Sequence, residues 1–251
     1  MKKVIMILFA ATPLLISCSA SQTEEASSLS VLYVTGGGYH DYEAQQELLT
    51  EELSNRLDID WTIDIEAGES TDHQLTLHSD PNWHEPFDAV IYNMCFAGVT
   101  DVDYVESVTQ AHYDSGTAAI VLHCAMHTYR DADTEEWDRL IGFETYHHEH
   151  EQREFEIEAL DREHPVMAGF PEGNWVSPTD ELYINLKTYE NLIPLAHAYG
   201  PETDAYHVVM WANTYGKARV VGTSAGHNNA VMEEAAYLDF LENGLLWATG
   251  K

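Results

Sequence analysis

Positive charge is what this sequence has least of. Eleven Lys+Arg stand against 43 Asp+Glu in 251 residues, a formal net charge of −32 with histidine neutral. A nucleic-acid backbone is bound by clustered cations that displace its counterions, and outside the extreme N-terminus the sequence has no Lys/Arg cluster. No nucleic-acid partner is expected. The same acidity argues against anionic membrane surfaces and polyanionic substrates and suits a neutral or cationic small ligand. Read without any function, it is solubility in a salty habitat. Cysteine is also scarce: three in all, of which Cys95 and Cys124 each end an apolar run. Two thiols make no disulfide framework, although an oxidising compartment would permit a bridge. Buried free cysteine is common, so free thiols are the expectation. A lysine of the phosphate-loop type is missing, and Gly36-Gly37-Gly38-Tyr39-His40-Asp41 has Asp41 where a dinucleotide loop needs its third glycine, so no nucleotide is expected.

Long hydrophobic runs are missing too, with one exception at the start. Lys2 and Lys3 precede the apolar run Val4–Ile16, which Pro13 interrupts. That run is too short to cross the roughly 30 Å hydrocarbon core comfortably and has the layout of a secretory signal. Leu15-Ile16-Ser17-Cys18 resembles a bacterial lipobox. On that reading residues 1–17 are removed, Cys18 carries the acyl chains and residues 18–28 form a flexible polar tether. Ser19 after the cysteine resembles outer-membrane sorting in Gram-negative bacteria. The expected location is therefore the cell envelope, with the membrane touched only through this anchor.

What remains is ordinary globular material, 45% apolar and 22% charged, long enough to bury a sizeable core as one domain over residues 29–251. Leu29–Thr35 is a buried strand running into the glycine loop, and Leu49, Leu53 and Leu57 mark an amphipathic helix over Tyr42–Arg56. Ile59–Ile65, Phe87–Asn93 and Thr117–His123 read as further strands, with a helix over Asp101–Ser115. Such alternation predicts an α/β fold with a doubly wound, mostly parallel sheet and helices on both faces. From Glu144 the texture changes. Phe155, Ile157 and Ala159 alternate with acids; Leu192–His197, His207–Trp211 and Arg219–Thr223 suit later strands, and Tyr237–Thr249 suits a closing helix.

In such sheets ligands bind beyond the carboxyl ends of the strands, which singles out the polar residues there. His40 and Asp41 follow the first strand, and His123-Cys124-Ala125-Met126-His127 follows the fourth. Imidazoles four residues apart at such a corner could reach one metal or one substrate. The bland alternative is a solvated His127 and a His123 bonded to backbone. Cys124 has the place of a strand-corner nucleophile, but Met126 stands where that corner usually needs glycine, which disfavours the role. Tyr146-His147-His148-Glu149-His150 could ligate a metal or be solvated loop. Asp180-Glu181-Leu182-Tyr183, Trp211 and Gly226-His227 complete the candidates.

Taken in order, Gly36–Tyr42, Val121–His127, Asp161–Gly169, Asp180–Tyr183, Val208–Trp211, Tyr215–Val221, Gly226-His227 and Gly244–Trp247 resemble the trehalose-utilisation (ThuA-like) family over nearly the whole chain beyond the tether. The resemblance implies a fold like that of class I glutamine amidotransferases and a link to trehalose and related disaccharides through 3-keto sugars. It does not imply glutamine hydrolysis, because the amidotransferase His-x-Glu is not evident. The resulting expectation is a secreted lipoprotein that cleaves or converts a glycoside by metal-assisted acid/base chemistry, as a hydrolase, lyase or keto-sugar isomerase. His123, Glu181 and His227 are the expected catalytic groups. His40, His123 and His127 are the expected ligands of a divalent ion such as zinc or manganese. Gly37, Gly38, Tyr39, Asp41, Tyr183 and Trp211 are the expected carbohydrate contacts, with core packing the competing role for Trp211. A non-catalytic sugar-binding lipoprotein is the rival from another class.

The anchor is testable on its own. Cys18→Ala should move the protein from the membrane pellet to the soluble fraction, since residues 19–251 contain no other run long and apolar enough to span a bilayer. Retention of the variant in the pellet would refute the lipoprotein reading.

Overall fold

The computed structural model describes residues 28–66 and 68–251. The signal segment, Cys18 and all but the last residue of the tether lie outside them.

The first strand, β1 (Leu29–Gly37), is buried almost throughout and pairs in parallel with β2 (Ile59–Ile65) on one side and β3 (Ala89–Cys95) on the other. Next to β3 lies β4 (Ala118–Leu122), and beyond it β11 (Ala218–Thr223), again in parallel. Helix α1 (Tyr42–Ser54) joins β1 to β2, and α2 (Val102–Ser115) joins β3 to β4. Both helices start on an aspartate whose carboxylate accepts a first-turn amide, Asp41 from Ala44 and Asp101 from Tyr104, the local choice that favours a helix start there.

Alternation along the strands feeds two cores. Val31, Tyr33, Ile91 and Ile120 face Leu49 and Leu53 of α1 and the C-terminal helix α5 (Ala235–Thr249). Leu32, Val34, Val90 and Val121 face α2 and α3 (Glu136–Ile141). A doubly wound sheet with helices on both faces is therefore the architecture.

The remainder is an antiparallel extension. A two-stranded ribbon, β5 (Phe143–Glu144) with β8 (Lys187–Thr188), stands apart from the main sheet. In that sheet β10 (Ala205–Tyr215), β9 (Ile193–Gly200), β6 (Arg153–Ala159) and β7 (Trp175–Asp180) continue outward from β11, giving the order β2-β1-β3-β4-β11-β10-β9-β6-β7. Strand β7 is missing from the sequence reading because it carries Pro178, and proline is tolerated in a strand at a sheet edge, where β7 lies. A short helix, α4 (Asn229–Met232), follows the loop after β11.

Two expectations are corrected here. Cys95 and Cys124 form a disulfide, with Cα atoms 5.3 Å apart. Neighbouring strands β3 and β4 run out side by side and bring both residues within bridging reach. This also removes the free thiol that a nucleophilic Cys124 would need. Trp211 is not a carbohydrate platform. It is fully buried in β10, packed edge-on against Phe143 at 4.6 Å, with its indole N–H donated to the Ile141 carbonyl at 2.7 Å. The ring covers Gly222 so closely that any Cβ there would overlap it.

Candidate functional site

Four strand ends empty into one place. His40 follows β1, His123 follows β4, His227 follows β11 and Glu181 follows β7. Around this meeting point the backbone is forced into unusual shapes. Gly37, at φ +96°, approaches the Cys95 carbonyl so closely that a Cβ would sit 2.6 Å from its oxygen. Tyr39 (φ 85°) and His123 (φ 45°) occupy left-handed backbone despite their side chains, a cost of order 1–3 kcal/mol each that recurs at functional sites.

The imidazoles of His40, His123 and His227 converge, with one ring nitrogen from each lying within 4.8 Å of the others. His40 Nε2 is 3.1 Å from His227 Nδ1, and the His40 and His123 rings are 4.8 Å apart between centroids. Each ring is held from behind. His123 Nδ1 donates to the Ser224 carbonyl at 2.7 Å, which turns Nε2 toward the cluster, and His40 Nδ1 meets the Tyr42 hydroxyl at 3.1 Å. Outer partners of this kind fix the tautomer and ring orientation of ligating histidines, so the donor set fits a divalent ion.

Glu181 closes the cluster. Its Oε2 lies 3.2 Å from His227 Nδ1, 3.5 Å from His123 Nε2 and 3.4 Å from His148 Nε2. Gln152 bridges Glu181 Oε1 at 3.2 Å and His227 Nε2 at 2.9 Å. Burial alone would raise the Glu181 carboxyl, but His123 and His227 outweigh it and hold it well below the usual carboxylate range. Burial and the neighbouring His123 and His227 depress His40 to about 3, so its imidazole is neutral and free to act as a donor of its lone pair.

One residue positions this group. The buried Asp180 carboxylate accepts the backbone N–H of Gly226 at 2.8 Å, of His227 at 2.9 Å and of Glu181 at 2.8 Å. It therefore ties the end of β7 to the loop after β11, although β7 is four strands further along the sheet.

Two spaces meet at the cluster. An open cleft of about 1030 Å³ is lined by Gly37, Gly38, Tyr39, Asp41, Glu69 and Glu154 among others. A smaller cavity of about 320 Å³ is lined by the disulfide, His127, Arg130, His148, Glu181 and Tyr183. Tyr39, His40 and His227 belong to both.

The family model for trehalose utilisation (ThuA) matches residues 30–248. The chain belongs to the ThuA family. Membership points to carbohydrate metabolism. A ThuA-like protein from Parabacteroides merdae is 20% identical, with a TM-score of 0.68 over 90% of this chain and 91% of that one. A ThuA-like protein from Bacteroides uniformis is 14% identical, with a TM-score of 0.65 over 88% and 91%. A glutamine amidotransferase from Thermotoga maritima is 10% identical, with a TM-score of 0.53 over 90% and 100%. These likenesses establish the fold. No curated protein matches the sequence significantly.

Within this ThuA domain the structure brings together His40, His123, His227 and Glu181. Gly37, Gly38, Tyr39 and Asp41 lie in the outer cleft, and Tyr39 projects at its lip with 75% exposure. Tyr183 is buried beneath the cluster, its hydroxyl 3.4 Å from His123 Nε2, so its ring is a floor and not a surface for stacking sugar. His127 is corrected as a ligand: its ring stacks on Tyr183 at 4.4 Å and lies outside the histidine trio. Burial, then the charge of Arg130, depresses it to about 3. Gln152 and Asp180 carry roles that the sequence reading did not assign. The position of Asp180 in the Asp180–Tyr183 segment was the available signal; Gln152 had none.

Asp180 gives the sharpest structural forecast. Hydrogen bonds to a charged acceptor contribute about 1.5–3 kcal/mol each, less the cost of burying the charge, so Asp180→Ala should cost about 3 kcal/mol in urea unfolding and Asp180→Asn less. A loss below about 0.5 kcal/mol, as for an ordinary surface change, would show that the loop holds itself.

Proposed function

We propose that this protein is an acid/base enzyme acting on a glycoside, specifically a 3-keto-disaccharide, with a divalent ion held by His40, His123 and His227. The observation that carries the proposal is the convergence of these three imidazoles with Glu181 at the junction of two sugar-sized spaces. Zinc or manganese bound there would supply Lewis acidity toward a carbonyl oxygen.

The chain's own groups supply the rest. A ketone at C3 acidifies the C2 proton. His148 Nε2, with Nδ1 donating to the Glu149 carbonyl at 2.7 Å and Glu181 3.4 Å away to stabilise the imidazolium, takes that proton on the wall of the inner cavity. The C1–O bond then breaks as the C1–C2 double bond forms, the departing oxygen takes the proton back from His148, and water adds across the double bond afterwards. Tyr39 and the glycine loop hold the outer sugar at the cleft mouth. Asp180 keeps Glu181 and His227 in register throughout.

We also propose that the protein works outside the cytoplasm on a lipid anchor at Cys18. The Cys95–Cys124 bridge supports this, since disulfides persist in oxidising compartments.

Protein purified without chelator should retain about one equivalent of divalent metal, and His40→Ala and His123→Ala should each lose it. Conversion should be seen with 3-keto-disaccharides and not with the native sugars. Sugar binding with neither metal nor turnover would favour a non-catalytic binding protein and overturn the proposal.

A further inference from the structure

Arg130 lines the inner cavity together with His127, His148 and Glu181. Its Nη1 donates to the Tyr146 carbonyl at 3.0 Å, and its remaining donors have no hydrogen-bond partner among the described residues. This is unusual in a chain with so few cations. Arg56, Arg139, Arg153, Lys187 and Lys251 each sit on a carboxylate. Arg162, Lys217 and Arg219 direct their donors to backbone carbonyls elsewhere. Among the described residues, Arg130 alone presents a guanidinium to a site cavity without a carboxylate against it.

The two spaces flanking the cluster thus differ in charge: the outer lining is acidic and the inner one holds a cation. Asp41, Glu69 and Glu154 line the outer cleft, whereas the inner cavity is lined by Arg130 and a single carboxylate, Glu181, which the histidines already engage. A guanidinium fork matches a carboxylate with two parallel N–H···O bonds. An uncharged hydroxyl would use that geometry poorly, and the acid lining would repel the same anion from the outer cleft.

We propose that the inner cavity takes a carboxylate-bearing sugar unit, a uronic acid residue, whose carboxylate is received by Arg130. The inference rests on the sugar-site reading above and refines it: the substrate is a glycoside with its acidic unit inside, its neutral unit in the cleft, and the bond between them at the histidine cluster. The overall acidity works against any anion, so a carboxylate is received only where Arg130 supplies a local cation.

The test is direct binding of D-glucuronate, its methyl ester and D-glucose to the full mature protein, by calorimetry, in chelator and with added zinc. Glucuronate should bind at least about tenfold more tightly than glucose or the ester in both conditions, and the preference should weaken with salt. Arg130→Gln should abolish the preference while melting temperature and metal content stay near the wild-type values; Arg130→Lys should retain part of it. Equal binding of the three probes, absence of glucuronate binding, or a preference that survives Arg130→Gln would overturn the proposal. A preference present only with zinc and indifferent to Arg130 would mean that the carboxylate binds the ion, also against it. Metal content separates this outcome from the parent reading. Loss of the Arg130 effect with metal retained by wild type sinks only the substrate class, whereas an Arg130-dependent preference in protein that never retains metal sinks only the metal-assisted reading.

Discussion

The Asp180 carboxylate is fastened to three backbone amides, and the geometry of the site depends on that fastening. A parallel α/β sheet brings the ends of β1, β4 and β11 together by topology alone. It does not bring β7, which enters through the antiparallel extension. Asp180 joins that extension to the loop after β11 and so places Glu181 against imidazoles donated by the parallel half. The buried charge is tolerable because each oxygen accepts main-chain N–H groups whose own burial would otherwise be costly.

Around this tie the electrostatics divide clearly. The molecule is strongly acidic, yet around the inner cavity it gathers imidazoles, one engaged carboxylate and, among the described residues, one guanidinium with no carboxylate against it. Within the cluster, His40 is kept neutral by burial and by its neighbours, a state suited to donating a lone pair, and the adjoining Glu181 is kept ionised. The disulfide forms part of the inner wall immediately after His123. It covalently joins the ends of β3 and β4 where that histidine leaves the sheet in a left-handed conformation.

Much of this was legible in the residues. Continuous apolar runs and their helical interludes gave the parallel half because such strands are buried on both faces and announce themselves. Polar residues at the ends of those runs named His40, His123 and His227. The antiparallel half was harder to read. Half-exposed strands have weak patterns, and Pro178 disguised β7, so the convergence of Gln152 and His148 on Glu181 could not be foreseen. Trp211 and the cysteines show a different limit. An aromatic in an ordered motif can serve core or ligand, and two strand-end cysteines can be free or bridged. Only the strand order decides, and it put the tryptophan inside and the sulfurs together.

The central claim is that His40, His123 and His227 act as one donor set. X-ray absorption at the metal edge of the zinc-loaded protein tests this most directly. The account predicts imidazole scattering from three rings with Zn–N distances of about 2.0–2.1 Å, a signature that His123→Ala loses together with its zinc. A first shell of oxygen alone, or a spectrum unchanged by the loss of His123, would contradict it.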